Sequence, residues 1–438
     1  MGRRGAARWW PWAAFACGGV RGGGVCGDAY ATRAACDADA NGTGLPCAWS
    51  GGGRCASAVP ATRAVRCVPC RLGPACVGRG DWAPAVAVGL DGDAALEPLR
   101  LDVLPASLSG RRAAFYAAAA SAAPAWAARF GRRNATLVVR GPPRDGFWVR
   151  ALMVLSQSTW AVMHGATASP RLEWRADPYG GVPDGWRAYF EAPDDAGHAA
   201  ASAELDCVAV DHVYPNPPDA YPRTAAAARR TRSLRSLQVA AFATPTPAAF
   251  ERVAETRRRL GLAGARVLGV HLRGTDKKRS LAGPVVPPAD YFPIVDAWLA
   301  AFPDAAVFLA TDDAAFERAF RGRYGRNVTS RAGVDRGDAR AAVWARGPPP
   351  PGTTASAGDQ VLDDALLLAA CDYLLKAASA VSEFAIYYNP SLIANSFDFS
   401  IADAAPPPFA RNARVRVGAG APRPRPARRR RPAPRGAG

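Results

Sequence analysis

His271, Arg273, Asp276 and Lys277 fall within seven residues at the end of a short apolar run, residues 266–270. An imidazole, a guanidinium, a carboxylate and an ammonium so spaced can bind an anion and move a proton. Lysine is scarce here: Lys277, Lys278 and Lys376 are the only lysines among 55 basic residues, and two of the three lie at this segment. Two further apolar runs end in polar groups, one in Thr311-Asp312-Asp313 and one in Lys376 followed by Ser379. A helix N-terminus capped by Ser379, joined by Arg273 and one or two lysines, makes a pyrophosphate site. Asp364, just upstream of the third run, could accept hydrogen bonds from a base or ribose. Asp312-Asp313 also reads as the cap of the helix that it opens. No glycine-rich dinucleotide fingerprint and no Walker lysine loop occurs, which argues against nicotinamide enzymes and P-loop kinases.

These groups can meet only if their strands share an edge. The apolar patterning predicts a strand over 266–272, a helix over 288–302, a strand over 305–311 and a helix over 313–322. A helix over 360–371, a strand over 373–377 and a helix over 379–388 follow. Such alternation implies βαβ units and a parallel sheet, with all carboxyl ends on one side. The first half predicts a helix over 114–129, a strand over 135–140, a buried helix over 146–163 and a strand over 171–174. The aromatic residues Tyr179, Trp186, Tyr189 and Phe190 read as core anchors. Residues 224–260, rich in arginine, read as a basic helical linker.

With 438 residues, 49% hydrophobic and 21% charged, the chain can build two or three domains. The formal charge of +18 is misleading as a sign of nucleic-acid binding. Ten arginines and no acid follow Asp403, which leaves +8 on the rest. That Pro/Arg-rich tail is expected to be disordered. It could touch polyanions or a membrane surface by charge, but it has no interleaved aromatics for stacking on bases. Seven of ten cysteines (Cys26, Cys36, Cys47, Cys55, Cys67, Cys70 and Cys76) form one block without histidine, which favours disulfides over zinc. The sequons at Asn41, Asn134 and Asn327 fit the same oxidising compartment, while Pro390 excludes the one at Asn389. The N-terminus offers Arg3, Arg4 and Arg8 before an uncharged run, residues 9–20, that is too short to span a bilayer. It reads as a signal-like or anchor segment, and the expected location is the lumen of the secretory pathway (Golgi or ER), membrane-anchored or secreted. The expected divisions are 1–25 for this segment, 26–76 for a disulfide module, 98–250 and 251–403 for two lobes, and 404–438 for the tail.

Gly269-Val-His-Leu-Arg-Gly-Thr-Asp-Lys277, Val307-Phe-Leu-Ala-Thr-Asp-Asp313 and Asp364-(x)7-Asp372-Tyr-Leu-Leu-Lys-Ala-Ala-Ser379 together resemble three motifs of the GDP-fucose-dependent fucosyltransferases. The α1,6-type and nodulation-type enzymes are the nearest branch, and protein O-fucosyltransferases are relatives. The resemblance covers residues 265–397, with 146–193 similar to the amino-terminal lobe of the family. It implies an α/β fold of GT-B type, two Rossmann-like lobes, and metal-independent inverting transfer from GDP-fucose to a glycan or glycoprotein. No cofactor is implied. By the same resemblance Arg273 binds the β-phosphate, His271 and Asp364 hold the nucleoside end, Ser379 binds phosphate, and Asp312 belongs to the donor site. The chain departs from the α1,6 branch at Gly274, where that branch has a second arginine, and near Leu281, where it has a glutamate base. Asp276, Lys277 and Asp290 are left as candidates for the base. Two other readings are a same-fold transferase with another nucleotide sugar and a secreted carbohydrate-binding protein whose catalysis has lapsed.

Overall fold

The computed structural model describes residues 64–65, 99–130, 136–140, 146–163, 167–171, 185–191, 204–208, 224–275, 285–334, 336 and 357–410. Two parallel sheets, each with helices, give the α/β architecture that the alternation predicts. The cysteine block, apart from residues 64–65, and the arginine tail beyond Ala410 lie outside the described residues.

The second sheet carries the polar segments. Its strands are β5 (Val267–Leu272), β6 (Ala306–Thr311), β7 (Val328–Thr329), β8 (Tyr373–Lys376) and β9 (Ser396–Asp398), all parallel, in the order β7-β6-β5-β8-β9. All six residues of β5 are buried, as expected of a central strand covered on both faces. Leu268, Val270 and Leu272 pack on one face with Tyr291, Ile294, Val295 and Trp298. These belong to α6 (Pro288–Ala301). On the other face Val267, Phe308 and Leu374 meet Leu366, Leu368 and Phe384, from α8 (Ala357–Ala369) and α9 (Ala380–Tyr388). A helix α7 (Ala314–Tyr324) joins β6 to the segment before β7. The chain runs outward from β5 to β7, then returns to β8 on the other flank of β5. That reversal is a topological switch point, and in such sheets ligands bind outside the carboxyl ends beside it.

The first sheet has the order β1-β4-β2-β3, from β1 (Ala64–Val65), β2 (Thr136–Arg140), β3 (Thr167–Arg171) and β4 (Glu204–Val208). Strand β3 lies upstream of the expected 171–174 and contains Pro170. It is an edge strand, where a residue without an N–H is tolerated. Helix α1 (Leu104–Phe130) starts well before residue 114, because Leu104, Leu108, Arg111 and Phe115 form one buried stripe. Helices α2 (Phe147–Met163) and α3 (Gly185–Tyr189) complete this half. Trp186 and Phe190 are buried core residues, and the Trp186 indole donates to the Phe242 carbonyl at 3.0 Å.

The expected basic linker is two helices, α4 (Ala225–Phe242) and α5 (Pro247–Arg259). Helix α4 is packed into the core and buries Arg232, Arg235, Leu237, Val239 and Phe242. Ordered structure also continues into the segment assigned to the tail. Phe409 packs against Tyr373 and Trp298 with ring centroids 5.0 and 5.1 Å apart, and Ala410 is buried.

Candidate functional site at the carboxyl edge of the second sheet

At the end of β5 the His271 ring is buried and its carbonyl accepts the Tyr291 hydroxyl at 3.3 Å. In register His271 lies beside Ala310 of β6 and Lys376 of β8. Two residues on, the Arg273 Nε stands 3.1 Å from Asp312 Oδ2, with 23% of the arginine side chain exposed. Asp312 does more than pair. Its Oδ1 accepts the Gly274 amide at 2.8 Å and its Oδ2 accepts the Thr275 hydroxyl at 2.7 Å. Burial alone would push this carboxyl up; the Arg273 guanidinium and these two hydrogen bonds outweigh it and hold Asp312 below the usual carboxylate range. A strand end that would otherwise be a loose turn is thus tied to the end of its neighbour.

Asp313 has the other role foreseen for the pair. It caps α7, accepting the Ala315 amide at 2.8 Å and the Phe316 amide at 3.3 Å. Its side chain also explains Gly274. A Cβ at 274 would lie 2.5 Å from Asp313 Cβ, so the second arginine of the resembled branch has no room here. Asp276 and Lys277 lie outside the described residues. Asp290 sits in the first turn of α6 on the same edge of the sheet.

Across the switch point, Ser379 is the buried N-cap of α9, and its hydroxyl makes no capping bond to its own helix. The free amides of that first turn present partial positive charge beside the end of β5. Lys376 does not join them as a phosphate ligand. It is fully buried, with Nζ 2.8 Å from Glu383 Oε1 and 2.6 Å from Asp398 Oδ2. The same carboxylates take Arg232 of α4, which grips Glu383 through Nε at 2.9 Å and Nη2 at 2.7 Å and reaches Asp398 at 2.6 Å. Two cations and two anions, all within hydrogen-bond reach, make a balanced box in the interior.

Helix α8 runs back against the strands, so its first turns lie on the same carboxyl edge. There Asp364 meets Arg331 at 3.0 Å, and Arg331 also donates to the Gln360 carbonyl at 2.7 Å and approaches Asp363 at 3.3 Å. Arg252 of α5 bridges Asp359 and Asp363 at 2.8 and 3.1 Å. Burial pushes the Asp363 carboxyl up despite these two arginines.

The structure therefore brings His271, Arg273, Asp312 and Ser379 to neighbouring strand ends, and gives Asp364 an arginine partner. Sequence reasoning missed Arg331, Arg232, Glu383 and Asp398. The only signal for the box was Lys376 itself, a lysine closing an apolar strand. Among the described residues no group of three or more His, Cys, Asp or Glu is placed to hold a metal ion. A fixed guanidinium beside a helix N-terminus can neutralise an oxyanion without one.

No family model matches the chain, and no curated protein does. Among solved structures the chain is similar to NodZ α1,6-fucosyltransferase soaked with GDP-fucose, at 18% identity over 58% of this chain and 92% of that one, with a TM-score of 0.35. It is similar to NodZ from Bradyrhizobium at 17% identity, 57% and 90% coverage and a TM-score of 0.34. FUT1 of Arabidopsis thaliana in complex with GDP matches at 12% identity, 58% and 68% coverage and a TM-score of 0.33. Likeness this remote says nothing of substrate.

Proposed function

We propose that the chain is an inverting glycosyltransferase of GT-B type that moves fucose from GDP-fucose to a glycan or glycoprotein, in an α1,6 linkage. The observation that carries this reading is Arg273, oriented by Asp312 at the switch point of a parallel sheet and flanked by the N-terminus of α9. Transfer breaks the bond between fucose C1 and the β-phosphate oxygen, and the electron pair leaves with the diphosphate. An acceptor hydroxyl attacks C1 from the opposite face and gives its proton to a base. Negative charge grows on the departing oxygen as the bond lengthens. A guanidinium already held in place stabilises that charge without reorganising. In this scheme Ser379 and the α9 amides take the other phosphate oxygens, His271 and Asp364 hold the nucleoside end, and Asp276, Lys277 and Asp290 are the candidates for the base. Arginine and helix dipole supply the positive charge, so no divalent cation is required.

The proposed location is the secretory lumen. Asn327, in its sequon, is exposed beside β7 and accessible to glycosylation there. A melting-temperature screen with GDP, UDP and ADP tests the donor, because a ligand bound only by the native state raises that temperature. Stabilisation by GDP alone supports the reading; a response to UDP without one to GDP overturns it.

A further inference from the structure

The Arg232–Glu383–Lys376–Asp398 box sits directly behind the turn assigned above to the diphosphate. Lys376 ends β8 and Glu383 lies one turn into α9, with the Glu383 amide bonded to the Ser379 carbonyl at 3.1 Å. The two sides of the 377–379 turn are therefore tied to each other by the Lys376–Glu383 pair, and Asp398 of β9 and Arg232 of α4, themselves paired, hold Lys376 and Glu383 respectively. Every carboxylate oxygen is engaged. Glu383 Oε1 takes Lys376 and Arg232, Oε2 takes Arg232, Asp398 Oδ2 takes both cations, and Oδ1 takes the Ser400 amide at 3.0 Å and the Ser400 hydroxyl. Asp403 extends the clasp by accepting the Ala225 amide at the start of α4, at 2.7 Å.

Burying four charges gains little over apolar residues of the same volume, since desolvation offsets the attraction. What such a network does supply is direction. A bidentate fork on Glu383 tolerates neither rotation of α9 about its axis nor a slide along it. We infer that Arg232, Lys376, Glu383 and Asp398 are positioning residues that staple the 377–379 turn from behind and aim the first amides of α9 at the donor diphosphate. This rests on the nucleotide reading above.

Two variants test it. Arg232→Met combined with Glu383→Gln removes one cation and one anion and leaves Lys376 with Asp398. Arg232→Lys keeps the charge and loses the fork. Wild type and both variants are titrated calorimetrically with GDP, UDP and ADP, and exchange of the first hydrogen-bonded amides of α9, residues 383–385, is followed without nucleotide. The expected result is faster exchange confined to those amides and nucleotide affinity weakened by about tenfold or more in the double variant, with Arg232→Lys in between and all melting temperatures close together. Unchanged exchange and affinity would overturn the inference. So would loss of the cooperative unfolding transition in both variants, which would make the box a fold determinant. Wild-type protein that binds none of the three nucleotides would sink the nucleotide reading instead, while the exchange data still decide the staple.

Discussion

Arg273 and Asp312 form an ion pair, and under the proposed function the carboxylate orients the guanidinium that supplies the charge. Arg273→Ala should leave the fold intact and lower turnover of GDP-fucose by about 10³-fold, the order lost when one oxyanion donor is removed; single-turnover kinetics would check this, and wild-type rates would refute it. Arg273→Lys should recover little, because an ammonium lacks the planar fork. Asp312→Asn keeps an acceptor for the Gly274 amide and turns an NH2 donor toward the Thr275 hydroxyl, but loses the ion pair, so kcat should fall while stability drops only modestly. At this scale the sequence was most informative where partners are close in the chain. The cap role of Asp313 could be read from its place before a helix. Arg331 and Arg232 could not, because their partners lie far along the chain and arginine is too common here to stand out.

At the level of elements, the strand–helix alternation of the second half was legible, since each strand is a continuous apolar run and each helix has one buried face. Less legible were β3, disguised by Pro170, and the burial of α4, which read only as a basic helical linker although Arg232 is buried against acids from two other elements, α9 and β9. Packing between β5 and α8 adds a constraint that no local pattern reveals. A Cβ at Gly269 would lie 3.0 Å from Cys371 Sγ and 3.3 Å from Leu368. Gly269→Ala should therefore destabilise by about 1–3 kcal/mol, the usual cost of overpacking. Adding Cys371→Ala should recover part of that loss, and a double-mutant cycle by urea unfolding would show the coupling. Strictly additive effects would mean that the clash is relieved elsewhere. Burial pushes the Cys371 thiol up to about 12, so it should resist alkylation until the protein unfolds.

For the whole molecule, acid is the predicted weakness. Asp312, Glu317, Glu383 and Asp398 are all held below the usual carboxylate range: burial opposes this in each, and neighbouring arginines, Lys376 and hydrogen bonds prevail. Among the described residues Asp363 is the buried acid shifted the other way. A depressed carboxyl contributes stability above its unfolded value and loses it as pH falls through the folded one. The urea midpoint should hold above about pH 5 and drop steadily below about pH 4, the range of unfolded carboxyls. A midpoint flat down to pH 3 would contradict these charge assignments.

Helix α9 also has a far end. There Arg111 of α1 donates to the Tyr387 carbonyl at 2.8 Å and the Tyr388 carbonyl at 2.6 Å, while Trp148 of α2 stacks on Phe384 with centroids 4.1 Å apart. The last helix of one sheet is thereby anchored in the helices of the other. Heat should then find no seam between the halves, and scanning calorimetry should record a single transition in which both sheets are lost together.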